Sequence, residues 1–369
     1  MVVDDLAPRV FAPMLYRHRE RIREDLAIVQ HGLEQETPDP ALFPAYARSK
    51  LCQSAAYFAG HADPVTRRSM VERFGTPWQH VPQNEIAAIA EACTSYCDAY
   101  AQHVGRPEAL EDYLYTAISN DDVPALIKRR TRQWLDCMYA LFPKFARFRF
   151  AVLNRRSTDT WKNLVTCSTG QFSLWVNTHP QHTYTMGFIE FLALHEVCGH
   201  MVHFAQLQNN AALAARAPHL LCIAIHTQDT YLVEGIAQWV AALLVDRYAP
   251  TGAAVRVAAK QMELFFAARH HILCDFIDDA IDLDTAVDRH HRFLGRWLTG
   301  SPADTATWYT TIRNDAISCA QILAYHGAFS QLQPARNLHD DALTDFGTRL
   351  LNGFYRPQDL RALVAEYCE

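Results

Sequence analysis

Between residues 188 and 207 apolar side chains recur at helical spacing, and within that run stand His195, Glu196, Gly199 and His200, which together read HExxGH. A helix this apolar on every side needs cover from several neighbours, so the chain must build a layered helical body around it. The same periodicity recurs over 86–104, 123–141, 231–247 and 252–281, with no proline except one compatible with a helix start. Strand-like patterns are confined to 148–153 and 170–176, where aromatic and β-branched residues run between turn formers. These patterns predict an all-α, mainly helical fold with at most a small sheet of two or three strands near the active site. Prolines 38, 40 and 44, and again 77, 82 and 107, mark short loops, and no Gly/Ser-rich linker or internal repeat divides the chain. The expected organisation is a helical shell over 1–150 around a metal-binding catalytic region over 151–369, the two forming one integrated domain.

Composition removes several classes of function. Half of the 369 residues are apolar and the formal charge is -6, so the chain lacks the basic excess that nucleic-acid binding requires. No apolar run reaches membrane-spanning length; the nearest, 235–245, is short and broken by Gln238. The first 25 residues carry Asp4, Asp5 and alternating arginines rather than the apolar core of a signal peptide, and the 10 cysteines are scattered without a CxxC pair. The expectation is a cytoplasmic protein with reduced thiols, no nucleic-acid or membrane partner, and a homodimer left open.

In zinc hydrolases two histidines on one helix bind the ion, while an adjacent glutamate stays off the metal and takes a proton from the water the ion activates. The usual spacing is i, i+4; here His195 and His200 are i, i+5. Five residues turn a regular helix by about 500°, leaving the rings about 140° apart, so sharing an ion requires a π-bulge or a turn opened at Gly199. The opposing reading is two unrelated histidines on a core helix. A two-histidine site needs a third ligand, and Glu234 is the candidate, because it opens an otherwise apolar helix where an unpaired buried carboxylate would be costly. An exposed glutamate favoured by a helix N-terminus is the alternative, and Asp229 is the substitute ligand. Zinc suits this donor set, as do manganese, cobalt and iron.

HExxGH followed by the EGxA helix of Glu234 resembles the helical gluzincin-type zinc metallopeptidases: the Taq-type metallocarboxypeptidases with HExGH, and a bacterial family with HExxPGH followed by EGWALY. Dipeptidyl peptidase III shares the six-residue motif on a much longer chain. The likeness extends to Gly170-Gln-Phe-Ser-Leu-Trp-Val-Asn177, to Ala320-Gln-Ile-Leu-Ala-Tyr-His-Gly327 and to Leu350-Leu-Asn-Gly-Phe-Tyr355, so it covers the last 200 residues or so loosely. Relative to HExxPGH the chain lacks the proline, and relative to EGWALY it has Ile236, Gln238 and Trp239. The resemblance implies a zincin-like helical metallopeptidase architecture and a tyrosine, Tyr325, presented to the active site.

Other constellations allow other readings. Asp278, Asp279 and Asp282 spell DDxxD, and Asn314, Asp315 and Ser318 resemble a second magnesium box, which together would suit a helical magnesium-dependent isoprenoid synthase. A solvated acidic face explains them better, since only about 36 residues separate the two boxes and the second ends in Ile322 rather than a glutamate. Arg269 and Arg313 are candidates to clamp a substrate carboxylate, or to pair with nearby aspartates. Tyr325 and His326 are candidates to donate a hydrogen bond to an oxyanion, and His179 to bind substrate, although a loop histidine beside a proline also suits plain surface. His203, His219, His226, His290 and His291 are read as structural.

The leading reading is therefore a zinc-dependent hydrolase of a peptide or amide bond in a small substrate, carboxypeptidase- or dipeptidase-like. In it His195, His200 and Glu234 hold the ion and Glu196 is general base. Two others stand beside it: the same scaffold used in specialised metabolism for non-proteolytic, metal-dependent chemistry on a small amino-acid-like molecule, and a non-enzymatic helical protein with a structural ion. An all-helical chain is also expected to enclose its site without an edge strand, which favours a dipeptide, a peptide C-terminus or an amino-acid conjugate over folded protein.

Overall fold

The structure is a computed structural model that describes residues 65–158, 162–168, 171–216, 227–295 and 300–368. The expectations for residues 1–64, Gly170, His219 and His226 lie outside the described residues. Fourteen α-helices, a π-helical segment and a short 3-10 turn surround one small sheet among the described residues, as expected of an all-α fold with a minor sheet. The helices are α1 (Arg67–Phe74), α2 (Gln83–Val104), α3 (Pro107–Tyr115) and α4 (Val123–Leu141) before the sheet. After it come α5 (Met186–Phe191), the π segment (Leu192–Met201), α6 (Val202–Asn209) and α7 (Ala211–Arg216). Then follow α8 (Asp229–Tyr248), α9 (Ala254–Ile277), α10 (Leu283–Leu294), α11 (Pro302–Arg313), α12 (Ala316–Leu332), α13 (Asp340–Asn352) and α14 (Pro357–Cys368).

The sheet holds three strands, β1 (Phe150–Arg155), β2 (Asn163–Ser168) and β3 (Gln171–Asn177), in the order β1-β3-β2. β3 pairs parallel to β1, with Val152 opposite Leu174, and antiparallel to β2, with Leu164 opposite Trp175. Phe172, Leu174 and Val176 alternate inward on β3 and join the main core, while Gln171, Ser173 and Trp175 face away from it. β2, whose short sequence did not stand out, becomes one edge of this described sheet.

Local chemistry sets the helix boundaries. Thr66 and Ser69 form a capping box at α1, Ser301 and Asp304 form one at α11, and Gly75 ends α1 in the left-handed region at φ 63°. The aspartates read as magnesium boxes are accounted for in the same way. Asp282 caps α10 through the Thr285 amide, and Asp315 caps α12 through the amides of Ile317 and Ser318. Asp278 accepts from the Trp78 indole at 2.8 Å, and Asp279 pairs with Arg313.

α8 lies at the centre of the molecule, with nearly every residue from Asp229 to Val245 buried. It packs against the π segment on one side and α12 on another. Two glycines allow this close approach. A Cβ on Gly199 would lie 2.5 Å from the Ala237 Cα, and one on Gly235 would lie 2.2 Å from the Ala328 Cβ. Both clashes would be with backbone or with a methyl fixed to it, so no side-chain rotation could relieve them. Among the described helices before residue 150, α4 packs on the π segment and α2 on α9.

Candidate metal centre

The i, i+5 spacing is resolved by a π-helix spanning Leu192–Met201, continuous with α5 before it and α6 after it. Hydrogen bonds running i→i+5 widen each turn by a residue, so side chains five apart return to one face. His195 and His200 therefore sit side by side, ring centroids 4.7 Å apart and nearly perpendicular at 87°. Gly199 does not adopt a positive φ here; its role is to let the widened turn press against Ala237 of α8.

That close packing brings α8 to the point where Glu234 meets both imidazoles. Glu234 Oε2 is 3.1 Å from His195 Nε2 and 3.3 Å from His200 Nε2. One ligand atom from each of the three lies within 4.8 Å of the others, and this is the one such group among the described residues. Bonds of 2.0–2.1 Å arranged tetrahedrally around zinc would put donor atoms about 3.3 Å apart, which the two carboxylate–imidazole separations match. Burial pulls the Glu234 carboxyl towards its neutral form, but His200 and His195 outweigh it and hold the group well below the usual carboxylate range. Two nitrogens and an anionic oxygen converging in a buried pocket fit a divalent transition ion. Asp229, the substitute ligand, lies in the first turn of α8 and is not part of the group.

Aromatic rings orient the two imidazoles. Phe191 stacks on His195 at 4.7 Å and 16°, and Phe204 on His200 at 5.8 Å and 19°. His195 Nδ1 has no hydrogen-bond partner, so ring stacking takes the orienting role that a hydrogen bond to the far nitrogen commonly plays.

Glu196 stays off the cluster. It is only 8% exposed, and its Oε1 accepts a hydrogen bond from Asn163 Nδ2 of β2 at 2.8 Å. Tyr325 of α12 approaches from the other side, its ring 5.4 Å from His195 and stacked on Phe266 at 4.2 Å. Burial, then the charges of Glu234 and Glu196 and a hydrogen bond to Glu234, push the phenol well above its ordinary pKa, so it stays a proton donor.

The other expected site residues are elsewhere. His326, one position beyond Tyr325, turns away, its Nε2 3.2 Å from Glu85 and its ring 5.7 Å from His270. Arg269 is sandwiched between Phe265 and Trp308, 3.6 and 3.7 Å from their ring centroids, and burial lowers its pKa to about 9. Arg313 pairs with Asp279 at the end of α11 and lies over Phe276. His179 sits in the loop after β3, where its carbonyl accepts from Asn120 Nδ2 at 3.1 Å. Sequence reasoning missed Asn163, whose only signal is the weak strand pattern of β2. The expected absence of an edge strand is overturned as well, because among the described residues β2 lies at the edge of the sheet and its Asn163 side chain bonds Glu196.

No protein-family model and no curated protein matches the chain. Its fold is similar to a crystal structure described as "the putative lipoprotein from Colwellia psychrerythraea", with TM-score 0.60 and 15% identity. The match covers 89% of this chain and 57% of that one, so the chain spans little more than half of that protein's length. At this identity the likeness establishes the fold alone. Among the described residues no helix is long and apolar enough to cross a membrane.

Proposed function

We propose that this chain is a zinc-dependent hydrolase that cleaves a peptide or amide bond in a small substrate, in the manner of the gluzincins it resembles. The observation that carries the reading is Glu196, a carboxylate held by Asn163 beside the His195/His200/Glu234 cluster but outside it. A purely structural ion has no use for such a group.

His195, His200 and Glu234 would hold the ion, which when bound supplies Lewis acidity and makes water nucleophilic near neutral pH. Glu196 receives the proton of the attacking water and passes it to the departing amine. Asn163 engages Oε1 and so leaves the other carboxylate oxygen for that transfer. Tyr325, kept protonated, donates to the substrate carbonyl oxygen as charge builds there. The rings of Phe191, Phe204 and Phe266 exclude water from the histidines and the tyrosine.

The test combines elemental analysis with turnover of short peptides. Untagged protein should carry one zinc per chain and hydrolyse short peptides, and Glu196→Gln should keep the zinc while turnover falls by about 10² to 10⁴-fold. Wild-type rates in that variant overturn the general-base role. Stoichiometric metal without peptide cleavage, but with turnover of an amino-acid-derived metabolite, moves the same residues to the metabolic reading.

A further inference from the structure

With Arg313 committed to Asp279 and Arg269 held between rings, a further cation to consider is Lys162, the neighbour of Asn163, whose side chain bonds Glu196. No carboxylate among the described residues pairs with it. Its ammonium instead lies 3.8 Å from the Phe188 ring centroid and 4.8 Å from that of Tyr184. The backbone beneath it is fixed, because the Lys162 carbonyl accepts from the Tyr184 hydroxyl at 2.8 Å and from the Asn177 amide at 3.0 Å. Phe188 leads to the metal centre: it stacks on Phe191 at 5.9 Å, and Phe191 stacks on His195 at 4.7 Å. Lys162, Phe188 and Phe191 are all partly exposed, whereas His195 is fully buried. A row of aromatic contacts, partly exposed at Phe188 and Phe191, therefore links the Lys162 ammonium to His195.

We propose that Lys162 is an anion subsite at the end of this aromatic row and receives the free C-terminal carboxylate of a peptide whose scissile bond lies at the cluster. The proposal rests on the peptidase reading above and narrows its substrate. Phe188 and His195 are seven residues apart on one continuous helix, a span of about 10 Å at 1.5 Å per residue. Extended peptide covers about 3.3–3.6 Å per residue, so about three residues separate the cleaved bond from the carboxylate that Lys162 holds. The aromatic floor takes side chains of those residues without a demand for charge. Burial lowers the Lys162 pKa to about 8, and a bound carboxylate would reverse part of that shift by favouring the charged form.

The test is calorimetric and does not depend on turnover. Zinc-loaded Glu196→Gln protein is titrated with N-acetylated alanine peptides of two to five residues, each as the free acid and as the C-terminal amide. The acid should bind about 10- to 100-fold more tightly than the amide once the peptide reaches four residues, and about equally at two. Adding Lys162→Met or Lys162→Gln should bring the acid down to the affinity of the amide, and Lys162→Arg should keep the preference. Circular dichroism confirms that each variant is folded. Equal binding of acid and amide with Lys162 present, or a preference that survives its neutralisation, overturns the subsite and leaves the peptidase reading standing. Failure of every peptide to bind in either form overturns the peptidase reading, and the subsite with it.

Discussion

Asn163 donates its side-chain amide to Glu196 Oε1 at 2.8 Å, tying β2 of the small sheet to the residue that follows His195. The two are far apart in sequence and belong to different elements, so the bond exists only because β2 lies against the π segment. A carboxylate with one oxygen engaged has one orientation available, which a general base needs. Asn163→Ala should lower kcat about tenfold or more, with little change in KM and no loss of bound zinc. Steady-state kinetics and elemental analysis check both, and a rise in KM at unchanged kcat would assign Asn163 to substrate binding instead.

The close approach of Gly199 to Ala237 makes a second prediction. Gly199→Ala places a methyl 2.5 Å from the Ala237 Cα and 2.6 Å from its Cβ, so the π segment and α8 must separate. Overpacking of this kind costs about 1–3 kcal/mol, and here it also draws His200 away from Glu234. Chemical denaturation should report the loss, and zinc affinity should fall with it. Ala237→Gly in the same chain removes the clashing methyl of residue 237 but leaves its backbone in the way, so it should restore only part of the stability.

Metal binding should stabilise the fold in proportion to ligand integrity. Saturating zinc at about a thousand times its dissociation constant adds about 4 kcal/mol to the folded state. Added zinc should therefore raise the melting temperature of the wild-type protein, and a chelator should lower it. In His195→Ala the ligand set is incomplete, so the zinc-dependent shift should nearly vanish. Stoichiometric zinc retained by that variant would overturn the ligand assignment.

The sequence made the two histidines of the cluster legible because the constraint on them is local. HExxGH lies within six residues, and its i, i+5 spacing demanded a distortion that the π-helix supplies. Glu234 was legible for an energetic reason, as a carboxylate inside an apolar helix. Gly199 was placed correctly but for another cause, since the glycine serves close packing rather than an unusual backbone angle. What a local pattern could not carry was the partner across space. Asn163 reaches Glu196 from β2, and its residue type does not stand out in a linear reading. Arg269, Arg313 and His326 carried the right chemistry for substrate binding, yet tertiary packing gave each another partner.

The last prediction concerns acid stability. His290 is buried on α10, with Nδ1 3.0 Å from the Tyr309 hydroxyl. Burial lowers its pKa to about 3, and the charges of Arg269 and His291 act in the same direction. An unfolded histidine titrates near 6.5, so between about pH 6.5 and 3 the unfolded chain holds a proton at this position that the folded chain does not. A depressed folded pKa means that the contribution to stability is fully present above about pH 6.5 and is lost as the pH falls towards 3. The slope is about 1.4 kcal/mol per pH unit for one proton. Replacing His290 with Gln removes that titration, so the stability of the variant should fall less steeply between pH 6 and 4 than that of the wild-type protein, by about this amount. Urea unfolding at a series of pH values measures the difference. Parallel slopes would show that His290 is protonated in the folded protein, against the burial and the neighbouring cation that surround it.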